Sequence, residues 1–182
     1  QNGDYTVIAT VGGCASDTSA TLTINSAFTV DVTIAQTGGT DPSCFGEAVT
    51  FTATPVNGGS SPSYTWIING SAVGTDSSVF TTTTLTSGEV VSCLLTSSMM
   101  GVAGNPATSN NLIVTINNPP AAPTIAQNGA VLTSSVTNGN QWYLNGTTIP
   151  GATSQTYTAT QNGSYTVTTA SGGCTSAASA PV

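Results

Sequence analysis

The chain has 182 residues, 38% of them hydrophobic and only 4% charged, with seven acids, no Lys, no Arg and no His, for a net charge of −7. Without cationic side chains it has nothing to neutralise nucleic-acid phosphates or to hold an anionic bilayer, and without His it has no imidazole base for a Ser or Cys nucleophile. The four cysteines are too dispersed for a zinc cluster, and a phosphate-binding loop lacks its Lys. The acids Asp4, Asp17, Asp31, Asp41, Glu47, Asp76 and Glu89 are scattered, and no pair sits in a motif suited to glycoside hydrolysis. No enzyme, cofactor or metal is expected. No stretch has the roughly 18 apolar residues of a membrane span, so no membrane insertion is expected.

The first element is one half of an internal repeat. Positions 1–7 read QNGDYTV and positions 161–167 read QNGSYTV. Gly12-Gly13-Cys14 matches Gly172-Gly173-Cys174 at the same offset, with no gap between the two matches. Self-similarity at a fixed offset marks an array of units. Residues 1–25 are therefore expected to be the last hairpin of a domain whose type recurs at the end of the chain. The first residue is Gln1, and a processed or trimmed piece of something longer is expected.

Residues 26–117 carry short runs of alternating apolar and polar side chains, the mark of half-buried strands. Val49, Phe51 and Ala53 alternate with threonines. Then come 64–68, 79–85, 89–96 and 111–116. A Pro-rich joint follows at 118–123, where proline blocks ladder pairing and stiffens the backbone. Residues 118–182 repeat the plan in shorter form, with strands at 130–136, 140–144, 155–159 and 164–169. Seven Asn-Gly pairs, at Asn2, Asn57, Asn69, Asn128, Asn138, Asn145 and Asn162, suggest tight hairpins.

Both units share Trp-x-x-Asn-Gly, at Trp66 and at Trp142, with a later aromatic at Phe80 and Tyr157. A Trp buried on the third strand between two sheets is a hallmark of immunoglobulin-like sandwiches. The expected fold is all-β, with tandem immunoglobulin-like β-sandwiches. The expected core holds Phe51, Trp66, Phe80, Trp142, Tyr157 and Tyr165.

The stretch 44–59, followed by Pro62-Ser63-Tyr64-Thr65-Trp66 and Gly88-Glu89-Val90-Val91-Ser92-Cys93, resembles a PKD-like domain. The stretch 139–146, followed by 149–159, 162–167 and 173–176, resembles the Ig-like repeats beside such domains. Both kinds occur in large Bacteroidota surface proteins, including adhesins, gliding adhesins and stalks of secreted enzymes exported by the type IX route. The resemblance implies a C-terminal hairpin of a preceding Ig-like domain at 1–25, a PKD-like sandwich at 26–117 and an Ig-like sandwich at 118–182. It implies an extracellular, cell-surface location and a structural or adhesive role, with neighbouring copies of the repeat as partners in a filament or stalk. No catalytic residues transfer.

Two other roles fit the same residues. One is a carbohydrate-binding module, with Tyr143, Gln141 and Asn140 as candidate contacts to a surface glycan. The other is a non-catalytic spacer in a secreted enzyme. Four cysteines outside the cytosol suggest disulfides. Cys44 with Cys93, inside one unit, is the first pairing expected. Cys44 with Cys174 is the alternative, because in a head-to-tail array the Gly-Gly-Cys tip faces the preceding domain and Cys44 faces the following one.

Overall fold

The computed structural model describes residues 3–24 and 28–182. Every regular element in it is a strand, and the strands form two immunoglobulin-like sandwiches and a separate N-terminal ribbon. In the first sandwich one sheet orders Val79–Thr82, Val49–Val56 and Asp31–Gly38, and the other orders Ala107–Thr108, Val90–Thr96, Ser63–Ile68 and Ser71–Val73. Leu112–Ile113 also pairs with Val90–Thr96. The second sandwich repeats this order. Its sheets are Ile125–Asn128, Val131–Ser134, Thr156–Thr158, and Thr147–Thr148, Asn140–Leu144, Tyr165–Ser171, Cys174–Thr175.

The alternation read from the sequence fixes which side chains enter each core. Val49, Phe51 and Ala53 are buried while Thr54 is exposed, and Trp66 and Trp142 are fully enclosed. Each Trp satisfies its one polar group inside. The Trp66 indole N–H donates to the Ser77 carbonyl at 2.8 Å, and Trp142 donates to the Ser154 carbonyl at 2.9 Å. A buried indole without such a partner would carry a desolvation cost. Phe80 stacks on Trp66 with centroids 5.6 Å apart, and Tyr157 stacks on Trp142 at 6.0 Å. All six expected core aromatics therefore sit in a core, with Tyr157 partly exposed. Tyr165 also sends its hydroxyl back to the Gln161 carbonyl at 2.9 Å. This is the corner bond found at the start of the penultimate strand in such sandwiches.

The two Trp-x-x-Asn-Gly elements fold alike. Asn69 and Gly70 have φ of 50° and 82°, and Asn145 and Gly146 have 50° and 77°, the double positive φ of a type I′ turn. Each turn Asn also ties its hairpin to the neighbouring strand. Asn69 Oδ1 accepts from Val90 N at 2.9 Å, and Asn145 Oδ1 accepts from Ser164 N at 2.9 Å. Among the described residues the other Asn-Gly pairs do not make this turn. At Asn128 the two-residue loop is Gly129-Ala130, and Asn162 and Gly163 lack positive φ. Asn2 lies outside the described residues.

Close contacts divide the chain into two compact units: Gln1–Gln36, Phe51–Phe80 and Val90–Leu112, and Thr37–Thr50, Thr81–Glu89 and Ile113–Val182. The division cuts through the strands Asp31–Gly38, Val49–Val56, Val79–Thr82 and Leu112–Ile113.

The expected Cys44–Cys93 bond does not form. Cys93 is fully buried opposite Trp66 in the ladder, the place that Val167 takes opposite Trp142 in the second sandwich. Its backbone N–H is bonded to the Ser109 hydroxyl, and its partner in the ladder is Trp66, not a thiol. Cys93 is an interior apolar residue. Two kinds of substitution separate the roles. Trp66→Ala and Trp142→Ala should each lose about 3–5 kcal/mol in urea unfolding, whereas Cys93→Val should stay within about 1.5 kcal/mol of the parent.

Candidate functional site

The chain's strongest local construction is built around Cys44. Ser43–Cys44 pairs in parallel with Ile116–Asn117, and Phe45 N donates to the Asn117 carbonyl at 2.9 Å. The loop before Cys44 is held by Glu47. Its carboxylate accepts from Thr40 N at 3.0 Å, Thr40 Oγ1 at 2.9 Å and Cys44 N at 3.0 Å. Ser43 Oγ donates to the Thr40 carbonyl. Cys44 is thereby presented to Cys174, and the two form a disulfide with Cα atoms 5.7 Å apart. The bond realises the second of the two pairings the sequence left open. Beside it, the Asn117 side-chain amide donates to the Gly172 carbonyl at 2.8 Å.

Cys174 reaches Cys44 because of the hairpin that carries it. Gly172 and Gly173 have φ of 59° and 82°, and they close the pairs Ala170–Thr175 and Ser171–Cys174. Residues with side chains adopt that backbone at a cost, so Gly-Gly gives the tightest tip at the least strain.

The N-terminal ribbon repeats the hairpin's turn, ladder pairs and serine bonds. Thr10 pairs with Ala15 and Val11 with Cys14 across Gly12 and Gly13, whose φ are 60° and 83°. Ser16 N donates to the Ala9 carbonyl and Ser19 N to the Val7 carbonyl; at the matching positions of the later copy, Ser176 N donates to Thr169 and Ser179 N to Val167. The side chains repeat as well. Ser19 Oγ accepts from Val7 N at 3.0 Å, and Ser179 Oγ accepts from Val167 N at 3.1 Å. Ser16 Oγ accepts from Ala9 N at 3.1 Å, and Ser176 Oγ accepts from Thr169 N at 3.0 Å. The copies differ in cover. Tyr165 and Val167 are 4% and 0% exposed, but Tyr5 and Val7 are 48% and 69% exposed. Cys174 is bonded; Cys14 is an exposed free thiol.

Of the candidate glycan contacts, Gln141 and Tyr143 share one face of a strand and Asn140 lies on the other. The strand Asn140–Leu144 alternates, so Asn140 points inward beside Trp142, is buried, and donates from Nδ2 to the Val136 carbonyl at 2.9 Å. Burial removes Asn140 from the patch. Gln141 is half-buried and spends its amide on the carbonyls of Trp142 and Ile149, at 3.0 and 2.9 Å. Tyr143 is half-buried.

Two open depressions lie elsewhere. One, of about 510 Å³, is lined by Gln127, Leu132, Gln161, Asn162, Tyr165 and Val182 among others, and no acid lines it. The other, of about 410 Å³, has Asp76 as its one acid, and that carboxylate accepts from Tyr64 N at 2.6 Å. Neither offers the paired carboxylates of glycoside hydrolysis. Among the described residues no group of three or more Cys, Asp or Glu is placed to hold a metal ion, and no helix is long and apolar enough to cross a membrane.

No family model matches the chain, and no curated protein matches it. Among solved structures it is similar to the three N-terminal domains of the Highly Immunogenic Outer Capsid protein of bacteriophage RB49, at 18% identity and a TM-score of 0.41, over 84% of this chain and 58% of that one. It is also similar to the ectodomain of mouse nectin-like molecule 4, at 12% identity and a TM-score of 0.38, over 81% of this chain and 61% of that one. A third is the N-terminal eight Ig domains of the Down Syndrome Cell Adhesion Molecule, at 14% identity and a TM-score of 0.38, over 98% of this chain and 30% of that one. The chain thus spans less than two thirds of the length of each.

The disulfide closes 130 residues of chain. By the chain-entropy argument, Cys174→Ser should lower stability by up to about 5 kcal/mol, read in urea with and without reductant. Reductant should abolish the difference. Cys14 should react at once with a maleimide, and Cys93, whose thiol burial pushes up to about 11, should react only on unfolding.

The Glu47 carboxyl is held below its ordinary pKa, first by the Cys44 backbone N–H, then by the Thr40 hydroxyl and N–H. A lowered folded-state pKa means that its contribution is complete above the ordinary value of about 4.3 and is lost as pH falls through the lowered one. The Thr40 and Cys44 amide resonances should therefore shift in acid below about pH 4.3. In Glu47→Gln that titration step should be gone.

Proposed function

We propose that the chain is a structural and adhesive repeat segment of a long extracellular surface protein or filament, without catalysis. The observation that carries this reading is the ribbon's recurrence at the end of the chain, with the same ladder, the same Gly-Gly turn and the same serine bonds. Identical tertiary detail in two places is what a tandem array produces. In this reading residues 1–25 close a preceding Ig-like domain, 26–117 form a PKD-like sandwich, and 118–182 form an Ig-like one. This is the plan of the Bacteroidota surface repeats whose motifs the sequence resembles. The partners are neighbouring copies of the repeat.

Three features support it. The Cys44–Cys174 disulfide suits an oxidising, extracellular compartment. Neither depression brings two acids together. The surface is rich in Thr, Ser and Asn and poor in charge, so copies can pack side by side with few ions to desolvate.

The test is made on intact cells of the source organism. An antibody raised against the chain should label the outside of unpermeabilised cells, and electron microscopy should trace the label along thin extended material. The parent polypeptide should carry the repeating unit more than once. Labelling only after permeabilisation, or a single copy attached to a hydrolase, would overturn the reading.

A further inference from the structure

The N-terminal ribbon has its counterpart, position for position, in the ribbon that begins at Gln161, so the later one shows what covers the earlier one. At the later site, Tyr165 and Val167 are buried in a cluster with Leu132 and Trp142, and Tyr165–Ser171 is laddered to Asn140–Leu144. The tip is held by Cys44 through the disulfide and by the Asn117 amide on the Gly172 carbonyl. At the earlier site the same face lies open to solvent: Tyr5 and Val7 are 48% and 69% exposed, Ala9 is exposed where its counterpart Thr169 is buried, and Cys14 is a free thiol on an unaltered Gly-Gly tip. An exposed apolar face of this kind marks an interaction surface. The partner that fits it is already drawn in the same molecule.

We infer that the face of residues 3–22 is covered by a preceding copy of the 26–160 type, and that Cys14 forms a disulfide with the Cys44-type cysteine of that copy. The inference rests on the tandem-array reading and adds the chemistry of its joint. The preceding copy supplies a Trp142-type strand to ladder with Tyr5–Val11, a Leu132-type residue under Tyr5 and Val7, and an Asn117-type amide for the Gly12 carbonyl. Bond formation takes two thiols to one disulfide. The two thiols give up two electrons and two protons, which together reduce an external disulfide, such as glutathione disulfide, to two thiols. Each period is then closed by one such bond, at the same place in every copy.

The first experiment maps peptides, without reduction, from the parent protein as isolated from cells. A protease other than trypsin is required, since the chain has no Lys or Arg. The expected product joins the Cys14 peptide to a Cys44-type peptide from upstream. The second uses the full chain extended at its N-terminus by a copy of its own residues 26–160 and refolded in a glutathione buffer. Maleimide should label Cys14 fully in the unextended chain and less than a tenth as much in the extended one. Amide exchange at Tyr5 and Val7 should slow at least a hundredfold. An extended Cys14→Ser chain should keep the slowed exchange, which separates covering of the face from the disulfide.

A Cys14 that stays reactive while Tyr5 and Val7 are protected would overturn the disulfide and leave the array standing. Fast exchange at Tyr5 and Val7 beside a folded added copy would overturn the covering. A parent protein with no upstream copy would overturn the array and the inference together. If the added copy fails to fold, the peptide map of the native protein decides.

Discussion

A chain with no Lys, Arg or His cannot neutralise a carboxylate with a side-chain cation, and the whole structure is built under that constraint. Four of its seven acids are held by backbone amides. Asp31 accepts from Val32 N, Asp76 from Tyr64 N, Glu89 from Thr86 N, and Glu47 from Cys44 N. Each is a bond to a backbone amide at a strand start or in a loop, so these acids order the ends of elements. Long-range cohesion falls to buried rings, to serine and asparagine side chains bonded to backbone, and to one disulfide. Asn110 illustrates the second device. Its Oδ1 accepts from Ile34 N at 2.8 Å, and its Nδ2 donates to the Ile34 carbonyl at 3.2 Å, a two-point clasp across 76 residues of sequence. Such bonds are insensitive to salt, unlike the ion pairs they replace.

Much of the fold was legible because strand alternation is a strong signal and the aromatics mark its inner face. Trp66 and Trp142 were readable as core because each stands at the same offset from an Asn-Gly turn. That turn demands positive φ, which Asn and Gly tolerate. Dipeptide identity alone was a weaker guide. At Asn128 the flanking strands pair around Gly129-Ala130, and at Asn162 they belong to different sheets, so the same two residues serve other backbone shapes. The strand Asp31–Gly38 was not singled out, although its buried Val32 and Ile34 alternate, because threonine and glutamine continue the run and dilute the apolar pattern. Ile125–Asn128 is mostly exposed and leaves almost no pattern to read.

The cysteines and the candidate glycan contacts show where one-dimensional reasoning stops. Cys93 looked like a disulfide partner because it lies mid-strand in the same unit as Cys44. Only the ladder reveals that it stands where the second sandwich places Val167. Asn140 looked like a polar surface residue next to aromatics. Strand parity turns it inward, where Nδ2 donates to the Val136 carbonyl and Oδ1 is buried without a hydrogen-bond partner. Parity was present in the sequence, since Asn140 and Trp142 are two apart. A buried Trp142 therefore already implied an inward Asn140. The serine bonds that accompany the repeat were beyond reach, because Ser16 and Ser19 resemble any other serines until the hairpin brings them under Ala9 and Val7.

The disulfide also sets how the chain answers a pull. A tensile load passing along the backbone takes the covalent shortcut from Cys44 to Cys174, so the 130-residue stretch between them is out of the load path. That withholds about 45 nm of extended chain, at roughly 3.5 Å per residue. Even with its strands torn apart, the molecule pays out length only from the segments outside the clasp. Reduction of one bond would switch the same molecule from a short tether to a long one.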